Sequence, residues 1–124
     1  MIPKIASATD VLEITVVRGQ EGVTMQLRGR LSIDSSPHFR DRLLAVLEGP
    51  SANAVNIDLA NVAYLDSSGI ATLIEGLKVA RNRHTKLCLH GLEGRLLHLF
   101  QVTGVLSLFE MSGCVADSSS LEGV

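Results

Sequence analysis

Apolar and polar residues alternate with a period of two in some stretches of the chain and with a helical period in others, and the two take turns from residue 11 onward. Residues 11–17, Val-Leu-Glu-Ile-Thr-Val-Val, read as a strand, and Gly22 ends a short polar link. Val23, Met25 and Leu27 then alternate with Thr24, Gln26 and Arg28, which predicts a half-buried strand ending at Gly29 and paired with the first as a hairpin. Asp34, Ser35 and Ser36 are possible caps for a first helix, and Pro37 suits its first position. Phe39, Leu43, Leu44 and Leu47 form its apolar stripe, and Gly49-Pro50 stops it. Val55, Ile57 and Leu59 alternate with Asn56 and Asp58 in a third strand.

A second helix starts near Ser67, with Ile70, Leu73, Ile74 and Leu77 at helical spacing. Lys78, Arg81 and Arg83 lie toward its C-terminal end, where the helix dipole favours cations. Thr85 to His90 reads as a fourth strand. A third helix runs from about Leu92 to Val102, with Leu96, Leu99 and Phe100 inward and Gly104 at its C-terminal cap. Val105 to Met111 reads as a short last strand. The order β-β-α-β-α-β-α-β implies crossover connections and a largely parallel sheet, made mixed by the first hairpin. The expectation is an α/β fold: a single domain over 11–111, with a mixed sheet of four to five strands and helices packed largely on one face. Residues 1–10 read as an N-terminal extension. Residues 112–124, rich in Ser and Gly, read as a flexible tail, and deleting 113–124 is expected to leave the melting temperature nearly unchanged.

Composition narrows the chemistry. The 124 residues suffice for one core. With 3% aromatics and no Trp, there is no wide aromatic surface on which to stack bases, and a net charge of −2 gives no electrostatic case for nucleic acid or anionic lipid. Cys88, in the apolar run Lys86-Leu87-Cys88-Leu89, reads as a small buried hydrophobe. Cys114 falls in the polar tail, so no disulfide framework is expected and a reducing, cytoplasmic setting fits. The start, Met1-Ile2-Pro3-Lys4-Ile5-Ala6, lacks the long apolar segment of a signal peptide, and no stretch is apolar enough to insert in a membrane.

His38, His84, His90 and His98 stand at no recognised metal spacing, so neither metal nor cofactor is expected. No Gly-x-Ser-x-Gly and no phosphate-binding Gly-rich loop with Lys occurs, which argues against an enzyme. Arg81, Arg83, His84 and Lys86 read first as a solvated helix end and turn, and second as a contact for an acidic partner surface.

The informative segment is Asn61-Val62-Ala63-Tyr64-Leu65-Asp66-Ser67-Ser68-Gly69-Ile70, joining the third strand to the second helix. Ser hydroxyls there can accept from the unpaired first N–H groups of the helix. Gly69 lets another surface approach the helix start, so a bulky residue there is expected to weaken partner binding more than folding. A phosphate on Ser67 would sit where the dipole and free N–H groups favour an anion.

Asp66-Ser67-Ser68-Gly69-Ile70 resembles the helix start of STAS domains of the anti-sigma factor antagonist type, Asp-Ser-Ser/Thr-Gly followed by an apolar residue. Gly29-Arg30-Leu31, Val55-Asn56-Ile57-Asp58-Leu59 and Leu99-Phe100-Gln101-Val102-Thr103-Gly104-Val105 match further family features in order. The resemblance covers roughly residues 11 to 111. It implies a monomeric binding module whose partner is an anti-sigma factor with serine kinase activity. That kinase would phosphorylate Ser67 and so abolish binding, and a serine phosphatase would restore it. Ser32, Asp34, Asp66, Ser67, Ser68, Gly69 and Ile70 are then the partner-facing residues. Ser32 departs from the family, which often has an acidic residue there, with Asp34 two positions on. A second reading follows from the same resemblance: a non-catalytic subunit that stabilises a lipid-transport ATPase complex.

Overall fold

Side chains that alternate along the strands give the sheet one apolar face, and the helices cover it. The computed structural model describes residues 11–20, 22–49, 53–112 and 114–116. The elements are β1 (Leu12–Arg18), β2 (Val23–Leu31), α1 (Ser36–Glu48), β3 (Ala54–Leu65), α2 (Ser67–Asn82), β4 (Lys86–His90), α3 (Gly94–Val102), α4 (Val105–Ser112) and β5 (Cys114–Ala116). They form a five-stranded sheet in the order β1-β2-β3-β4-β5, with β1 antiparallel to β2 and all other pairs parallel. Each parallel step moves to the next neighbour in the same direction. Right-handed crossovers therefore place their helices on one face, as expected from the sequence.

Met25 and Leu27 of β2, Val55, Ile57 and Leu59 of β3, and Leu87 and Leu89 of β4 line that face and are buried. Phe39, Leu43 and Leu47 of α1, Leu73 and Leu77 of α2, and Phe109 of α4 pack onto them. The opposite face carries Thr24, Gln26, Asn56 and His90, with His90 Nε2 hydrogen-bonded to Asn56 Oδ1 at 2.9 Å.

Three sequence expectations need correction. Val105 to Met111 is not a strand but most of α4: Val105 and Phe109, one helical turn apart, both enter the core. The last strand lies beyond it at Cys114–Ala116, so packed structure extends past the expected boundary at 111, and deleting 113–124 would remove β5 and its cross-link and not a flexible tail alone. Cys88 is not a free thiol, because it forms a disulfide with Cys114, its register partner on β5. Residues 1–10 and 117–124, assigned to the extension and most of the tail, lie outside the described residues.

β3 is longer than the periodicity suggests. Its pairing with β4 stops at Asp58, opposite His90, while its pairing with β2 continues to Leu65. Gly91 makes the departure of β4 possible: its φ is +79°, and a Cβ there would stand 2.6 Å from the Ala60 nitrogen. Leu59–Leu65 and α3 then flank an open groove of about 910 Å³. Leu96 and Leu99 of α3, expected inward, are only partly buried along this groove, whereas Phe100 is fully buried.

Candidate functional site at the start of the second helix

β2 and β3 end side by side at Leu31 and Leu65, and both chains turn there toward a helix. The Asp66 N–H donates to the Leu31 carbonyl at 3.2 Å, holding the two exits together. Asp66 is the N-cap of α2 in extended conformation, with its first carboxylate oxygen accepting from the Ser68 N–H at 3.0 Å, the Ser68 hydroxyl at 2.5 Å and the Gly69 N–H at 3.4 Å. The second oxygen accepts from the Ile33 N–H at 3.1 Å, in the loop from β2 to α1. One carboxylate thus caps a helix and clamps the neighbouring loop.

These bonds hold the Asp66 carboxyl below the usual aspartate range; the Ser68 hydroxyl contributes most, then the Gly69, Ile33 and Ser68 N–H groups, against partial burial. The sign follows from linkage. A depressed folded value means the stabilisation is complete above the ordinary aspartate range and is lost as pH falls through the depressed value. Asp66→Ala is expected to lose about 1 kcal/mol at neutral pH as a lost cap. Its deficit against the wild type should vanish in acid, read by urea unfolding at a series of pH values. A pH-independent deficit would show that the ionised carboxylate is not the stabilising form.

Ser67, the first residue of α2, is exposed, and among the described residues its hydroxyl has no hydrogen-bond partner. Ser68 is tied inward, to Asp66 and, at 2.9 Å, to the Ser36 hydroxyl of α1. A bidentate ion pair between Arg40 and Glu75, at 2.7 and 2.8 Å, joins the same two helices further along. Ser32 and Asp34 lie on the adjoining loop, Ser32 accepting the Asp34 N–H at 3.3 Å. Asp34 is exposed and caps nothing; Ser35 is the N-cap of α1, but its hydroxyl donates to the Arg30 carbonyl at 2.6 Å instead of capping the helix.

Two features of this site differ from the sequence reading. Gly69 and Ile70, read there as partner-facing, are buried. A Cβ on Gly69 would stand 2.8 Å from Leu31 Cγ: the glycine lets α2 lie against the end of β2. The second concerns the free helix N–H groups. Those of Ser68, Gly69 and Ile70 are already taken by the Asp66 side chain and carbonyl. A phosphate on Ser67 would meet the dipole and the Asp66 carboxylate, with these three donors already engaged.

The surface also holds residues that sequence reasoning passed over. Ile33 is 72% exposed beside Asp66, and Tyr64, exposed on β3, stacks under the Arg30 guanidinium at 4.1 Å. The available signal for Ile33 was an isoleucine among Ser and Asp residues in a turn. Among the described residues no cluster of His, Cys, Asp and Glu is placed to hold a metal, and no helix is long and apolar enough to cross a membrane.

A small mixed sheet, covered by helices on one face, thus presents the serine-bearing start of α2 beside the loop from β2 to α1. A family model described as "Mlab, STAS domain" matches residues 14–110, and the chain belongs to the STAS domain family. The anti-sigma-B factor antagonist of Listeria monocytogenes is 29% identical over 94 residues, covering 76% of this chain and 82% of that protein. In fold, an anti-sigma factor antagonist from Mycobacterium paratuberculosis superposes with a TM-score of 0.75 at 19% identity, over 93% of this chain and 95% of the other. The Bacillus cell fate determinant SpoIIAA in its phosphorylated form gives a TM-score of 0.66 at 13% identity, over 89% and 97%.

Proposed function

We propose that this protein is an anti-sigma factor antagonist. It binds an anti-sigma factor that is also a serine kinase, releases the sigma factor, and is switched off by phosphorylation of Ser67. A serine phosphatase resets it, and the cycle runs in the cytoplasm with the free domain monomeric. The observation that carries this reading is the contrast between the two serines: Ser67 offers an exposed, uncommitted hydroxyl, while Ser68 is held by Asp66 and Ser36. The curated relatives with anti-sigma-B factor antagonist activity support it. Ser32, Asp34, Ile33 and Asp66 would form the contact surface around Ser67, with Gly69 and Ile70 supporting it from inside.

The test is incubation with the kinase partner and ATP, followed by intact mass and peptide mapping. One phosphate on Ser67 is expected, with loss of the complex. Phosphate on Ser68 alone would move the switch by one residue.

Ile33 gives a second measurement. Burying an exposed isoleucine at a partner contributes roughly 1.5–3 kcal/mol when complete. Ile33→Ser is expected to weaken binding about 10-fold, an incomplete burial, with an unchanged melting temperature. Unchanged affinity would take Ile33 out of the contact.

Membership of the STAS family is compatible with one other reading, a non-catalytic subunit docked on a lipid-transport ATPase. Copurification with a permease ATPase, together with no phosphate on Ser67 under any condition, would select it.

A further inference from the structure

We propose that the Cys88–Cys114 disulfide is a reversible redox latch that holds β5 on the edge of the sheet when oxidised and lets it leave when reduced. The inference rests on nothing at the Ser67 site.

The element it fastens is weak on its own. β5 has three residues and, among the described residues, pairs with β4 alone, through Cys114, Val115 and Ala116. Val115 is only partly buried against the core. Such a short edge strand offers few ladder bonds and little apolar burial against the cost of ordering it. The disulfide spans 26 positions of sequence and joins residues whose Cα atoms are 4.4 Å apart, within the bridging range.

The core does not depend on the bond. Neither cysteine belongs to the main apolar cluster formed by the first four strands and the helices. Leu87 and Leu89 point into that cluster, so Cys88 and its partner lie on the helix-free face. The bond therefore secures an edge and leaves the centre intact when it opens.

The two sulfurs differ in access. Cys88 is 6% exposed, whereas Cys114 is partly exposed. A thiolate of a cellular dithiol would attack the Cys114 sulfur, forming a mixed disulfide and expelling the Cys88 sulfur as a thiolate, which takes up a proton. The second thiol of the reductant then attacks its own sulfur in the mixed disulfide and releases Cys114, which is protonated in turn. Two electrons and two protons pass from the dithiol to the protein, and the reductant leaves as its disulfide. Reduction would free the edge of β4 over Cys88–His90 and loosen α4, which lies directly before β5 and packs against α2.

The test uses the full chain, oxidised by glutathione disulfide or reduced by dithiothreitol. Alkylation with intact mass is expected to label no cysteine in the first state and both in the second, with a reversible midpoint in glutathione buffers. Hydrogen exchange at the amides of β4 and β5 should speed up at least about 10-fold on reduction. The melting temperature should fall by roughly 10 °C, the size expected for losing a cross-link in a domain of this length. Cys114→Ser should match the reduced wild type and ignore dithiothreitol. Two labelled cysteines under oxidant, a bond that dithiothreitol leaves intact, or equal exchange in both states would overturn the latch. Phosphorylation of Ser67 is read separately by mass, so either proposal can fail alone.

Discussion

Ser67→Asp is expected to fold like the wild type and to bind the anti-sigma factor about 30- to 150-fold more weakly. The side chain is exposed and free of hydrogen bonds among the described residues, so little in the fold opposes the change. Exposed substitutions of this kind stay within roughly 0.5 kcal/mol. The partner meets a different surface. The neighbouring Asp66 carboxylate is kept ionised by the Ser68 hydroxyl and three backbone N–H groups, so one negative charge already stands there. Asp at 67 adds a second, and a phosphate would add about −1.5 to −2. The N–H groups of Ser68, Gly69 and Ile70 cannot absorb that charge, because Asp66 holds them. It must be faced by the partner, at a loss of about 2–3 kcal/mol, each 1.4 kcal/mol being a factor of ten. Ser67→Ala, by contrast, should bind and resist phosphorylation. Calorimetric titration of both variants against the anti-sigma factor, with melting curves, measures this. Wild-type affinity in Ser67→Asp would mean that the complex does not cover residue 67.

The two Asp-Ser-Ser tripeptides explain how far the sequence could be read. Asp34-Ser35-Ser36 and Asp66-Ser67-Ser68 have the same composition and both precede helices, yet only Asp66 caps with its side chain. What separates them is the backbone: Asp66 leaves a parallel strand in extended conformation, whereas Ser35 sits in a turn already near helical φ and ψ. Local composition carries no record of that difference. Strand and helix periods were legible where one face is buried over many residues, as in β2, α1 and α2. Val105–Ser112 was not, since a short apolar run suits either period. β5 was missed because three residues carry no period at all. The Cys88–Cys114 bond follows from the register of β4 and β5, which sequence spacing does not contain. The inward direction of Gly69 depends on where Leu31 ends β2, again a fact of the fold.

That direction leads to the other large effect, a coupling between Gly69 and Leu31. Gly69→Ala places a methyl 2.8 Å from Leu31 Cγ, closer than such a contact can stand, and 3.2 Å from the Leu31 carbonyl oxygen, a tight contact. Overpacking costs about 1–3 kcal/mol, while alanine in place of glycine returns up to about 1 kcal/mol of helix propensity. The net expectation is a loss of about 1–2 kcal/mol. Leu31→Ala, at a fully buried position, should lose about 2–4 kcal/mol through the cavity it leaves. In the double variant the new methyl enters the space vacated by the leucine, so the losses should fall short of their sum by about 1 kcal/mol or more. Urea midpoints at constant m-value give all three numbers. Strict additivity would show that the two residues do not touch. Partner affinity supplies a second readout: because Gly69 faces β2 and not solvent, folded Gly69→Ala should bind the anti-sigma factor normally. A loss of binding at full stability would restore Gly69 to the contact surface that its place in the sequence first suggested.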